Sequence, residues 1–311
     1  MKSKTLTEDQ YIDVCCPLCN SCDPADYEVM YPATIRNFSI AAEIFSARRV
    51  PDGIHYQIVR CRNDGLVRST PIFKSEKLDL LYAESTVTYQ DEIDNLVQTY
   101  LAALDPVLQC ISKDCAILEI GAGSGFMMDA LKKSGFTHIY GVETSADAVR
   151  NAPRHVQSTI MNKPFNKKLF KRKFDFIYLL QTLDHIPNVS NFIADCYDLL
   201  NEGGYILSFH HNVESLSAKV IGERHPIFDI EHTQLFSPQT SIALLEKNGF
   251  ITLSLMAPAN YLSLRHLCHL VPFPPFIKKH LLNIFKRFKM LNFTIKLPLG
   301  NTCIIARKPT I

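Results

Sequence analysis

Residues 117–131 read ILEIGAGSGFMMDAL, and this stretch decides the fold class. Ile117 to Ile120 form a short apolar strand carrying one acid, Glu119. Gly121, Gly123 and Gly125 then turn the chain, and an amphipathic helix begins at once. Such a turn brings backbone close to whatever lies over the strand ends, and the free amides of the new helix face the same spot. Beyond it a second strand, HIYGVE, ends in Glu143, where a carboxylate can accept hydrogen bonds from both hydroxyls of a ribose. A dinucleotide fingerprint, GxGxxG, would need glycine at position 126, which is Phe126. The GxGxG spacing, with Glu119 two residues before Gly121, suits a ligand with a cationic group and no pyrophosphate.

Working outward, short apolar segments alternate with helical ones after Pro106: CAILEIG, GFMMDALKKSG, HIYGVE, SADAVRNA, FDFIYLL, a helix over about 189–200, YILSFH and the helix SPQTSIALLEKNG. This alternation predicts a parallel sheet with helices on both faces. Ser237 is placed to cap the last helix, Pro238 suits its first turn, and Asn248-Gly249 suits its stop. The strand-like ITLSLMA and NTCIIARK follow, separated by a stretch at about 258–298, dense in Pro, His and basic residues, that reads as an inserted cap. A double-glycine turn, NEGG, is expected before the fifth strand.

Residues 1–72 read as a small module with little core of its own, 73–108 as a helical connector, and 109–311 as the main α/β domain. Of ten cysteines, only Cys15, Cys16, Cys19 and Cys22 cluster, too few for a secreted disulfide scaffold. Cys16-x2-Cys19 followed by Cys61-x2-Asp64 has the paired spacing of a zinc knuckle. Asp64 stands where a fourth cysteine is usual, with Cys15 and Cys22 as substitutes, so a structural zinc and a metal-free module both stay open. The polar start MKSKTLTEDQ and the lack of any long apolar run suggest a cytoplasmic protein.

A formal net charge of +2 conceals an asymmetry. The ten Lys and Arg from position 247 onward meet no acid, leaving 23 basic against 31 acidic residues, a net −8, in the first 246. A basic end on an acidic chain points to an anionic partner. Residues 276–291, FIKKHLLNIFKRFKML, form a basic amphipathic helix. Its apolar face can close over an acceptor pocket, lie on a membrane surface, or contact a second copy.

The glycine turn, the polar turn in FDFIYLLQTLDHIPN, NEGGYILSF, CPLCNS with VRCRNDGLVRSTP, YAESTVTYQDEIDNL, EHTQLFSP and LGNTCIIARK together resemble class I S-adenosylmethionine-dependent methyltransferases. The similarity is to the subgroup with an N-terminal zinc-binding module, which includes sugar C-methyltransferases and enzymes of surface-glycan clusters. The resemblance implies a Rossmann-like seven-stranded sheet, mostly parallel with the last strand antiparallel, a zinc-ribbon-like module and a C-terminal cap. It implies S-adenosylmethionine as cofactor, with Glu119, Gly121, Ala122, Gly123 and Gly125 at its methionine part and Glu143 and Thr144 at its ribose. Thr159, Ile160 and Met161 are expected near adenine, Leu180 and Gln181 at the methyl-transfer face, and Tyr89 as a closure. The family often carries an acid where Thr159 stands.

Methyl transfer needs alignment and, for many acceptors, a proton acceptor, a role that suits histidine near neutral pH. The resemblance places Glu231 and His232 at the acceptor site as first choice. His185 is the second candidate, and His210 or His211, at the end of the fifth strand where the family more often has apolar residues and proline, is expected at the pocket. Asp229 stands where some relatives have an aromatic residue. The implied acceptor is an anionic small molecule, a nucleotide- or lipid-linked sugar. Two rivals stand beside this: a nucleic-acid methyltransferase, disfavoured because the basic runs lack interleaved aromatics, and a non-catalytic cofactor-binding module.

Overall fold

The computed structural model describes residues 10–35, 42–45, 53–271 and 274–310; the polar start at 1–9 lies outside them. The N-terminal part supplies five short strands, β1 (Tyr11–Ile12), β2 (Tyr27–Tyr31), β3 (Ile58–Cys61), β4 (Val67–Ser69) and β5 (Ile72–Phe73), then helices α1 (Ser75–Ala83) and α2 (Ile93–Leu108). Next come β6 (Ala116–Ile120), α3 (Phe126–Lys133), β7 (His138–Glu143), α4 (Ala146–Arg150), α5 (Arg154–Gln157), β8 (Ile160–Asn162) and β9 (Phe174–Leu180). They are followed by α6 (Val189–Leu199), β10 (Leu200–His211), α7 (Leu216–Ile221), β11 (Gln234–Leu235), α8 (Pro238–Lys247) and β12 (Ile251–Met256). The chain ends with β13 (Asn260–Ser263), α9 (Leu264–Leu270), α10 (Pro275–Arg287), β14 (Thr294–Leu297) and β15 (Asn301–Arg307).

Seven strands form one sheet in the order β12-β15-β10-β9-β6-β7-β8, with β15 antiparallel to both its neighbours. The expected mostly parallel sheet is therefore present. Period-two burial explains it: Ile117, Phe176, Tyr178 and Phe209 face a core shared with α2 and α3. Leu118, Ile177, Leu179 and Ile206 face a second core shared with α6 and α8. Buried on both faces, such strands read as continuous apolar runs. Ser237 accepts from Thr240 N and Thr240 Oγ1 accepts from Ser237 N, a reciprocal cap for α8.

Two expectations shift. NEGG is not a turn preceding the fifth strand; it lies inside β10, whose pairing with β9 changes register between Leu200 and Tyr205. Gly203, at φ +73°, absorbs that irregularity. The N-terminal sheet, β2-β3-β4, takes its fourth strand, β11, from the far end of the main fold. Cys16, Cys61 and Leu66 also pack into the second core of the large sheet. The N-terminal strands thus share both a sheet and a core with the rest.

Candidate active site

The turn after β6 is held by its neighbours. Gly121 N and Ala122 N both donate to Val142 O on β7, at 2.9 and 3.0 Å, and Gly125 N donates to Ala122 O. Gly121 and Gly123 have φ of +78° and +53°, a left-handed conformation that glycine adopts without penalty. A Cβ built on Gly121 would overlap the Thr182 side chain, and one on Gly123 would overlap the Tyr89 hydroxyl. Tyr89 lies on this turn: its Oη accepts from Ser124 N at 3.1 Å. Gly125 does something else, letting the start of α3 approach Ile160 and Val156.

A cavity of about 480 Å³ opens over the ends of β6, β7 and β9. Glu119, Gly121, Ala122, Gly123, Glu143 and Thr144 line it, as do Tyr89, Leu180 and Gln181. Glu119 is only 2 % exposed and accepts from Tyr178 Oη at 2.8 Å. Burial pushes its carboxyl up to about 8, against the Tyr178 hydrogen bond and helped by repulsion from Glu143. Glu143 accepts from Gly123 N and Ser145 N, both at 2.7 Å, and burial raises it too, though these amides work the other way. Gln181 sits at φ +54° just past β9, its Oε1 buried without a partner among the described residues.

The expected adenine residues lie elsewhere. Thr159, Ile160 and Met161 are not on the cavity wall; Ile160 turns toward Gly125 and Gly141, and Thr159 Oγ1 donates to Val156 O. Pro164 and Phe165, just past β8, take that side of the wall. No signal in the sequence marked them, because the wall forms only when the chain after β8 folds back beside Phe192, whose ring Phe165 meets edge-on.

The histidines separate in depth. His185 lines the cavity, its Nδ1 3.1 Å from Tyr82 Oη, and burial lowers it to about 4. Glu231 and His232 are buried off the cavity, with His232 against the rings of His185 and His211, each 4.9 Å away. Burial, and then the charges of His211 and His185, lower His232 well below the ordinary histidine range. The cause is the N-terminal sheet. Ser69 N donates to Thr233 O and Ser69 Oγ to His232 O, pinning the segment ahead of β11 into the interior. Asp184 accepts from His211 Nδ1 at 2.8 Å; burial would raise its carboxyl, but this bond and the His211 charge hold it at about 2. His210 is buried, and neither it nor His211 reaches the cavity wall. Asp229 is likewise buried off the wall.

The knuckle residues meet. Cys16 Sγ is 3.0 Å and Cys61 Sγ 3.4 Å from Asp64 Oδ2, and Cys19 Sγ is 3.6 Å from Cys61 Sγ. The four donor atoms all lie within 4.8 Å of one another, close enough to surround a single metal ion with thiolates about 2.3 Å away. Cys15 and Cys22 are joined in a disulfide, so neither serves as the substitute ligand the spacing had left open. Lys247 Nζ, donating to Pro17 O, Leu18 O and Asn20 Oδ1, ties the knuckle to α8.

No described residue of 258–298 lines the cavity. The insertion packs on the outer side of α2, where Tyr261 N donates to Thr99 Oγ1 and Ser263 N to Glu92. Its role as a lid over the pocket is thereby corrected: the β13-β14 hairpin is anchored to polar groups on α2, away from the opening.

The sequence pattern of a methyltransferase domain matches residues 89–255, more than half of the chain. This chain belongs to the methyltransferase-domain family. Curated relatives of the domain include a ubiquinone biosynthesis O-methyltransferase from Shewanella sp. (strain ANA-3), 20 % identical over 43 % of this chain and 63 % of the relative. Another protein of that name, from Glaesserella parasuis serovar 5, is 25 % identical over 35 % and 51 %. The chain thus spans between half and two thirds of the length of these relatives. Among solved structures, a SAM-dependent methyltransferase from Archaeoglobus fulgidus aligns with TM-score 0.46 and 18 % identity, over 68 % of this chain and 94 % of that one. Magnesium protoporphyrin IX methyltransferase from Synechocystis PCC 6803 aligns with TM-score 0.44 and 16 % identity, over 76 % and 88 %. Among the described residues no helix is long and apolar enough to cross a membrane.

Proposed function

We propose that this methyltransferase domain transfers a methyl group from S-adenosylmethionine to a small-molecule acceptor. One observation carries the reading: a carboxyl group, Glu119, sealed beneath a glycine turn where burial holds it near 8. Such a group is stabilised as a carboxylate by an adjacent cation and would be repelled by a pyrophosphate. When bound, the cofactor supplies an electrophilic methyl on a sulfonium. Glu119 would hold its ammonium group, Glu143 its ribose and Tyr89 its outer side. Because Glu119 must lose its proton to serve, affinity should rise with pH below about 8, by up to about tenfold per unit. Calorimetry of S-adenosylhomocysteine between about pH 6 and about pH 8 checks this. Glu119→Gln should flatten the profile and weaken binding by about 1.5–3 kcal/mol.

The acceptor we propose is a lipid- or nucleotide-linked sugar of glycan assembly, in keeping with the subgroup the sequence resembles. The aromatic walls, Tyr82, Tyr100 and Phe126 among them, support a partly apolar acceptor. They also favour a second reading, an aromatic hydroxyl; methylation on oxygen is what the names of the curated O-methyltransferase relatives state of those proteins. In either case His185 takes the acceptor proton on Nε2 while Tyr82 steadies Nδ1, and Glu231 and His232 hold this pair from behind. With His185 near 4, the base is already neutral at pH 5 and above, so the acid limb of the rate should fall near pH 4 rather than near 6.5. His185→Ala should lower turnover by about 10²–10⁴ with S-adenosylhomocysteine affinity kept, whereas a loss under about tenfold would reject the assignment. Screening sugar nucleotides, lipid-linked sugars and phenols for a methyl mass shift separates the two acceptor readings. We further propose that Cys16, Cys19, Cys61 and Asp64 hold a closed, structural zinc.

A further inference from the structure

The segment from Phe276 to Gly300 contains no fully buried residue, although ten of its first eighteen positions are Phe, Ile, Leu or Met. A helix that closes a core would sink its apolar stripe; α10 leaves Phe276 72 % and Phe288 67 % exposed, with Phe293 at 59 % just beyond its end. Ile284 and Met290 stand out in the same stretch. Over 274–297 the chain also carries six Lys or Arg, Lys278, Lys279, Lys286, Arg287, Lys289 and Lys296, and no acid. Large apolar side chains left in water are costly, and this stretch is not what seats the insertion, which rests on α2 through its hairpin.

We propose that α10 and the turn after it dock on an anionic lipid bilayer. The helix, thirteen residues long, is too short to span and suited to lying in the plane of the interface. Its phenylalanines enter the acyl boundary while its lysines and arginines meet lipid phosphates. A second copy of this chain fits less well. A two-fold contact through this face would set six cations against six, with no acid on the segment to offset them. Docking would leave α2 between the bilayer and the cavity, since Leu96 and Tyr100 line the cavity while Thr99 holds the hairpin. The proposal stands apart from the methyl-transfer reading, because its test needs neither cofactor nor turnover.

The test is sedimentation of the full chain with vesicles of phosphatidylcholine alone and of phosphatidylcholine mixed with phosphatidylglycerol. Binding is expected to the anionic vesicles and to be weak or absent on the neutral ones. Lys286→Glu and Lys289→Glu should each weaken it by at least roughly fivefold, the equivalent of about 1 kcal/mol per charge. Phe276→Ser with Phe288→Ser should weaken it by at least about tenfold, and these exposed sites should leave the thermal unfolding midpoint unchanged. Equal binding to both vesicle types, or none to either, overturns the proposal. Binding indifferent to the phenylalanines, and matched by an RNA duplex at the same ionic strength, would make the surface a phosphate patch and also overturn it. So would a lipid-free dimer that Phe288→Ser dissociates.

Discussion

Removing the zinc proposed for the Cys16, Cys19, Cys61 and Asp64 cluster is expected to cost more stability than any point change in the fold. Structural zinc in small thiolate sites contributes about 10–16 kcal/mol at neutral pH in isolated peptides. Here the shared sheet and core will retain part of the N-terminal structure, so the loss should be smaller but still dominant. The knuckle is joined to the main fold at three points: Cys16 and Cys61 in the second core, Lys247 on the carbonyls at Pro17 and Leu18, and β11 on β4. Loosening it should therefore reach the cavity, because β4 is also what pins the chain at His232 behind His185. The checks are metal analysis, expected to find close to one zinc per chain, and unfolding before and after a strong chelator. Cys61→Ser should mimic chelation, and Cys110→Ser, on an exposed cysteine outside the cluster, should not. Protein that contains no zinc and unfolds identically with the chelator would reject the metal.

Gly121→Val is the second large effect. The left-handed conformation costs a residue with a Cβ about 1–2 kcal/mol, and the overlap with Thr182 adds about 1–3 kcal/mol of overpacking. The relief available is movement of Thr182, which lies beside Gln181, itself left-handed and anchored by Gln181 N to Phe209 O. Either the turn or the end of β9 must shift, and both line the cavity. Denaturant unfolding should show a loss of about 2–5 kcal/mol with S-adenosylhomocysteine binding abolished. Gly135→Ala is the control. Its position is also left-handed, at φ +93°, but the nearest atom to an added Cβ is a lysine methylene 4.0 Å away, and it is far from the cavity. It should lose stability modestly and keep its affinity.

What the sequence revealed and what it concealed divide along physical lines. The strand, glycine turn and helix at 117–131 were legible because each rests on local chemistry: apolar periodicity, positive φ and free helix amides. The capping of α8 and the Cys-x2-Cys and Cys-x2-Asp pairs were legible for the same reason, since two ligands three residues apart are brought together by one turn of backbone. The two-residue strand β11 has no propensity of its own and exists because β4 offers it an edge, so nothing local announced it. The resemblance makes Glu231 and His232 the first choice at the acceptor, with His185 second; because β11 pairs with β4, the structure instead puts His185 on the wall and the other two behind it. The wall formed by Pro164 and Phe165 was illegible on similar grounds, and so was the resting place of the insertion, which depends on Thr99 on α2 and Glu92 just before it meeting the β13 backbone. The Cys15 to Cys22 bridge was not legible, because the cysteine cluster with its Cys-x2-Cys spacing reads as metal ligation and offers both residues as substitute ligands.

Calorimetric titration of the purified chain with S-adenosylmethionine and S-adenosylhomocysteine, run beside a nicotinamide dinucleotide, tests most directly whether the pocket over Glu119 was built for a cationic adenosine donor. The account predicts saturable binding of both sulfur compounds, on the order of micromolar, and none of the dinucleotide. Silence toward both at millimolar concentration, with heat released by the dinucleotide instead, would contradict it.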